Sequence, residues 1–188
     1  IQQRKELHLK VAQSIEKLFQ ERLHEFYGML AYHYGKGEDP EKAEEYMTKA
    51  GEEALRSSAS SEALEYFREA MKLYVGRYGQ KADPQKIIAF KQNLALAHFN
   101  RGQFSEALPY LDEILEGKGF GHPRTKLGLV VRAVADIIGI ATFFYAPVQR
   151  KMIVPNQKFI EDMELIYAKM KCLYSVDHRR FFLESLSS

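Results

Sequence analysis

The chain has 188 residues, enough for one large domain or one and a half ordinary ones. Its 27 basic and 25 acidic residues leave a net charge of +2, and this near balance speaks against a general nucleic-acid or membrane-surface role, which needs a basic excess on one face. A hydrophobic share of 46% is enough for a continuous core, and the single cysteine, Cys172, excludes an internal disulfide and fits a reducing cytoplasm. The chain opens Ile-Gln-Gln-Arg-Lys with no basic-then-apolar leader behind it, and it reads as a piece of a longer protein.

The pattern is helical almost throughout, since no run alternates apolar and polar residues between turn signals. Leu7, Val11, Ile15, Leu18 and Phe19 recur at helical spacing and predict a first amphipathic helix. A second is predicted from about Arg22 to Tyr34, stopped by Gly35-Lys36-Gly37. Asp39-Pro40 supplies an N-cap and a first-turn proline for a third, through Ala43, Met47, Ala50, Ala54 and Leu55. Ser60 or Ser61 is expected to cap a fourth, which carries Ala63, Leu64, Phe67, Ala70 and Met71. Asp83-Pro84 repeats the start signal for a fifth, through Ile87, Phe90, Leu94, Ala97 and His98, with a turn at Gly102. A sixth starts near Ser105-Glu106, turns Ala107, Leu108, Leu111 and Ile114 inward and closes at Gly117; Pro109 lies just past its first turn, where it costs at most one backbone bond.

The glycine-rich stretch 117–123 is the best boundary in the sequence. Beyond it, residues 127–146 approach the length of a bilayer-spanning helix, but Arg132 and Asp136 would be costly at the bilayer centre. They sit four apart and can pair on a helix, and Pro147 ends the run, so a buried or partner-facing soluble helix is expected rather than a membrane span. A last helix follows through Phe159, Met163, Ile166, Tyr167, Met170 and Leu173, and 177–183 begins another.

Two stretches share a packing pattern. Leu30, Tyr34, Ala43, Met47 and Ala50 match Leu94, His98, Ala107, Leu111 and Ile114 in spacing. Ala31 and Ala43, and again Ala95 and Ala107, supply the small residues that let two helix axes approach closely. These residues resemble tetratricopeptide (TPR) helix pairs, and the fold expected is all-α: a TPR-like antiparallel helix-pair solenoid with additional C-terminal helices. The organisation read from this is a linking helix over 1–21, repeats over 22–117 and a helical extension over 122–188. The array is irregular, because Ala63 follows Ala43 by only 20 residues where a full repeat takes about 34. A bent or shared long helix around Ala50-Gly51-Glu52-Glu53-Ala54 is the expected accommodation.

The stretch from Leu30 to Ala43, with Ala50-Gly51-Glu52-Glu53-Ala54-Leu55 and the tail 166–177, resembles the TPR region of large bacterial signalling proteins. Those proteins join a class III adenylate or guanylate cyclase domain, or a kinase domain, to an AAA/STAND-type ATPase and a helical array. The resemblance implies a sensor or assembly role that biases an attached enzyme, with the first two helices bridging to an upstream ATPase domain.

No catalytic set stands out. Lys36 and Lys118 lie in glycine-rich turns but are followed by glycine, not by Ser or Thr, so neither makes a phosphate loop. The six histidines show no HExxH spacing and there is no cysteine pair, so neither metal nor cofactor is expected. His98 takes an aromatic packing position and reads as a hydrogen-bonded interior histidine, and Cys172 as an inert packed thiol. Glu41, Glu44, Glu45, Glu52 and Glu53 alternate with Lys42, Lys49 and Arg56 as on a solvated helix face.

What remains is the groove that first helices of TPR pairs line. Transferred by position, it offers Glu25, Tyr32 and Lys36 from one pair and Gln92, Phe99 and Asn100 from the other. Tyr32 and Phe99 either anchor an apolar side chain of a peptide or pack against neighbouring helices. Gly28 and Tyr32 occupy the places where carboxylate-clamping TPRs carry lysine and asparagine, which argues against a chaperone-tail clamp. The function expected is a non-catalytic protein–protein interaction scaffold or sensor whose partner is a protein, a peptide or another domain of the same chain. The alternatives are a structural brace or homodimerisation element, with Val131 and Ile138 as self-association residues, and a small-ligand pocket between the repeats and the C-terminal helices.

Overall fold

A computed structural model describes residues 2–121, 126–145 and 156–185. The described residues are all-α, with no strand among them. The chain divides into two compact units, Ile1–Gly102 and Gln103–Ser188.

The first unit contains α1 (Gln2–Leu18), a 3-10 segment (Gln20–Phe26), α2 (Tyr27–Lys36), α3 (Pro40–Arg56), α4 (Ser60–Tyr78), a short 3-10 turn (Gly79–Lys81) and α5 (Pro84–Asn100). Each helix packs on the next, and connections of a few residues make α2, α3 and α4 antiparallel neighbours. The predicted starts hold: Asp39 accepts a bond from the Lys42 amide at 3.0 Å, and Asp83 from the Gln85 amide at 2.9 Å, each followed by a proline in the first turn. Such caps contribute about 1 kcal/mol each.

Three expectations need correction. The second helix does not begin at Arg22; residues 20–26 form a 3-10 segment in which Arg22 leaves the helical region (φ −126°, ψ 27°). Phe19 stacks on Phe26 with ring centroids 4.4 Å apart, a contact made across the bend. No serine side chain caps α4, because Ala59 takes that position and Ser60 is already the first helical residue, buried. The irregular spacing is not met by a shared helix either. Helices α3 and α4 are separate and meet closely at Gly51, where an added Cβ would lie 2.7 Å from the Phe67 ring.

One helix stop recurs in this unit and the next. After α2 and α3, one residue keeps right-handed backbone, the second turns left-handed, and the third amide reaches back to a carbonyl five residues earlier. The left-handed residues are Glu38 (φ 59°) and Ser58 (φ 63°), and the closing bonds are Asp39 to Tyr34 at 3.0 Å and Ala59 to Ala54 at 2.7 Å. Gly102 after α5 has the same left-handed backbone (φ 69°).

The residues that carry the repeat pattern are inside. Leu30, Ala31, Tyr34 and Ala43 pack with Ala12, Ile15 and Tyr46, so α1 closes over the α2–α3 pair. Leu94, Ala95 and His98 on α5 are buried too, and His98 lies 3.4 Å from the Arg68 guanidinium. Ala70, Tyr74 and Phe90 join α4 to α5, and the Tyr74 hydroxyl accepts the Asp83 amide at 3.0 Å.

The second unit contains α6 (Phe104–Gly117), α7 (Lys126–Tyr145), α8 (Gln157–Val176) and α9 (His178–Ser185). Its helix α6 ends in the same stop, with Gly119 left-handed (φ 88°) and the Phe120 amide 2.8 Å from the Leu115 carbonyl. Helix α8 packs on α6, and α9 on α8. Ala107, Leu111, Ile114 and Leu115 of α6 are buried with Cys172 and Leu173 of α8. The apolar run is the helix α7, and no described helix is long and apolar enough to cross a membrane. The expected Arg132–Asp136 pair and the loop around Pro147 lie outside the described residues.

Candidate functional site

The α1–α2 face of the first unit holds two of the six groove candidates together. Tyr32 is 55% exposed, and the Lys36 ammonium stands 5.6 Å from its ring centroid. From α1, His8 meets the same ring edge-on at 5.9 Å. Arg4, Lys5, His8, Tyr32 and Lys36 enclose a pocket of about 270 Å³. The other four candidates lie outside this pocket. Glu25 sits in the 3-10 segment with both oxygens taken by Arg22, at 2.8 and 2.6 Å, and this hydrogen bonding holds its carboxyl below the usual carboxylate range. On α5, Gln92 and Phe99 are half-buried and Asn100 is exposed.

Gly28 has a packing explanation: a Cβ there would run into the Tyr66 hydroxyl of α4, so the position is small because a ring end from that helix fills it. Tyr32, one turn along α2, is left facing α1 and solvent.

A carboxylate hub beside this face fastens α1 to the α2–α3 pair. Glu16 accepts Tyr34 Oη at 2.7 Å, Lys42 Nζ at 3.1 Å and a third bond from Tyr46 Oη. Burial disfavours its charge, but the bonds from Tyr46, Tyr34 and Lys42 outweigh that and lower its pKa. The two phenols are pushed up, first by burial and then by the adjoining carboxylate. His8 and His33 meet through their Nδ1 atoms at 3.0 Å; burial first, and His8 second, pull His33 below its ordinary range.

The second unit carries a polar interior that the residue pattern did not announce. Lys169 Nζ lies 2.9 Å from Asp112 and 2.7 Å from Glu184, while Arg180 bonds the same two carboxylates at 2.7 and 2.5 Å. Lys169 and Glu184 are almost fully buried, and the four charges clasp α6, α8 and α9 together. Lys118, read from its glycine-rich turn as part of a helix end, also binds Asp162 at 2.6 Å. Helix α8 therefore buries Asp162, Lys169, Cys172 and Leu173 and turns Phe159, Met163 and Tyr167 outward. The signal available was the 3.5-residue recurrence of Asp162, Leu165, Lys169 and Cys172, which is hidden by the apolar residues on the opposite face. Burial pushes the Cys172 thiol up to about 11, which makes it unreactive. Among the described residues no three metal-ligating side chains converge.

The outer face of α8 is apolar. Phe159, Ile160, Met163 and Tyr167, with Glu164, line a shallow depression of about 390 Å³. On α7, Val131 and Ile138 are 61% and 58% exposed.

Residues 89–118, from the middle of α5 through α6, match the tetratricopeptide repeat family. No curated protein and no solved structure matches the chain. The matched segment contains the Leu94, His98, Ala107 and Leu111 pattern, and the fold is all-α and TPR-like.

Proposed function

We propose that this chain is a non-catalytic protein–protein interaction scaffold or sensor, which regulates an attached ATPase or cyclase in cytoplasmic bacterial signal transduction. The observation that carries the reading is the TPR match over 89–118, because TPR helix pairs present side chains for protein contact. The α2 face adds support: Met29 and Tyr32 are half exposed beside Lys36, an arrangement suited to a peptide or to another domain of the same chain. The near-neutral charge favours protein over nucleic acid as partner.

The test is made on the parent protein. Deleting the region homologous to this chain is expected to change the ATPase or cyclase rate of the attached domain, and the chain alone is expected to turn over neither ATP nor GTP. Turnover by a clean preparation of the chain, or an attached enzyme indifferent to the deletion, would overturn the reading.

The exposed apolar surface of α7 favours a second role, homodimerisation through Val131 and Ile138. Light scattering is expected to give a concentration-dependent mass that falls to the monomer in Val131→Glu/Ile138→Glu. A monomer at every concentration rejects this role and leaves the first intact.

A further inference from the structure

We propose that the pocket between α1 and α2 binds a phosphomonoester dianion. Arg4, Lys5 and His8 fall at helix positions i, i+1 and i+4, which aims all three toward the last turn of α2, where Lys36 closes the ring. Tyr32 and the His8 imidazole complete the wall beside the three cationic side chains, and among the described residues no carboxylate lines the pocket. Its volume of about 270 Å³ holds a phosphate group with room for the carbon that bears it.

The charges in this pocket are not spent on neighbours as they are on α3. Every Lys and Arg of α3 has a carboxylate within 4 Å: Lys42 with Glu16 and Glu45, Lys49 with Glu45, and Arg56 with Glu53. In the pocket only Lys5 is neutralised, by Glu38 at 2.5 Å, while Arg4 and Lys36 have no carboxylate partner among the described residues. Two uncompensated cations brought into one concavity repel one another, and an anion relieves that repulsion. His8 shares its Nδ1 side with His33, so in the tautomer where His33 donates, the His8 proton sits on Nε2 and is available to a ligand oxygen.

The number of donors decides between anions. A single carboxylate offers one charge and two oxygens, whereas a phosphomonoester offers nearly two charges and three terminal oxygens. The planar fork of Arg4 takes two of them, and Lys36 and His8 approach from other sides. The phosphate can belong to a modified side chain of a partner or to a free metabolite; the chemistry is shared, and the site stands whether or not the chain is a scaffold.

Isothermal titration calorimetry on the full chain, at fixed ionic strength in chloride, tests this with inorganic phosphate, a phosphoserine peptide and the same peptide unphosphorylated. Phosphate-dependent binding is expected, weakened about five- to tenfold by Arg4→Gln and by Lys36→Gln, the loss for one charge-assisted contact in an open pocket. Lys10→Gln, the same charge change on an exposed part of α1 outside the pocket, is expected to leave binding unchanged. A phosphopeptide tighter than inorganic phosphate identifies a modified protein as the source, and equal affinities identify a free phosphate compound. No binding at about 10 mM phosphate, or equal weakening by all three variants, overturns the proposal. The thermal midpoint of each variant checks that the fold is kept.

Discussion

The two units fasten their helices with different polar contacts. The first lets helices approach through small residues and one shared carboxylate: Gly51 admits Phe67, Gly28 admits Tyr66, and Glu16 collects two phenols and a lysine. The second leaves Lys169 and Glu184 inside α8 and α9 and satisfies them with Asp112 and Arg180. The contrast teaches that polar contacts can fasten helices with different tolerance. A carboxylate held by neutral phenols can lose one bond and keep others. A buried charge that loses its counter-charge keeps its full desolvation cost.

The largest expected effect therefore lies in the second unit. Lys169→Met leaves two carboxylates facing Arg180 alone and should lower the denaturant-derived stability by about 3 kcal/mol. Adding Glu184→Leu should recover most of that loss. A single-variant loss too small to measure would mean that the clasp does not hold α9, and the contrast between the units would fail.

Next comes the tight crossing of the first unit. Gly51→Ala forces a Cβ to 2.7 Å from a fully buried ring that has nowhere to move, and about 1–3 kcal/mol should be lost. Chemical unfolding measures it, and a neutral outcome would show that the α3–α4 crossing is looser than a TPR-like contact requires.

Glu16→Gln should cost about 1–2 kcal/mol at pH 7, since it exchanges charge-assisted bonds for neutral ones. The sign with pH follows from the direction of its shift. The folded pKa lies below the ordinary 4.5, so the stabilisation is present above that value and is lost as pH falls through the folded pKa. Thermal midpoints of the two proteins should accordingly converge in acid; parallel curves would deny Glu16 its role as the fastening of α1.

The smallest effect has the opposite sign. Ser58 holds left-handed backbone that glycine adopts without strain, so Ser58→Gly should raise stability by about 0.5 kcal/mol, read as a small rise in thermal midpoint.

Much of this was legible in local sequence. Asp39-Pro40 and Asp83-Pro84 mark helix starts because an aspartate acceptor and a proline lacking N–H both suit a first turn. The alanines at 31, 43, 95 and 107 were identifiable as packing positions, and all four are buried. Of the groove candidates, Tyr32 and Lys36 line one pocket, while Glu25 lies in a 3-10 segment where its transfer by position assumed a continuous helix.

The amino-acid order by itself determined helix class, most helix starts and the small faces, because each depends on residues within a turn or two of one another. Tertiary structure alone decided that Asp112 would answer Lys169 and Arg180, the latter 68 positions away, and that Arg4 and Lys36 would share one concavity with no carboxylate partner among the described residues. Electrostatic pairing acts over ångströms of space and leaves no periodic mark along the chain, so only packing the helices together reveals which charges meet and which are left over.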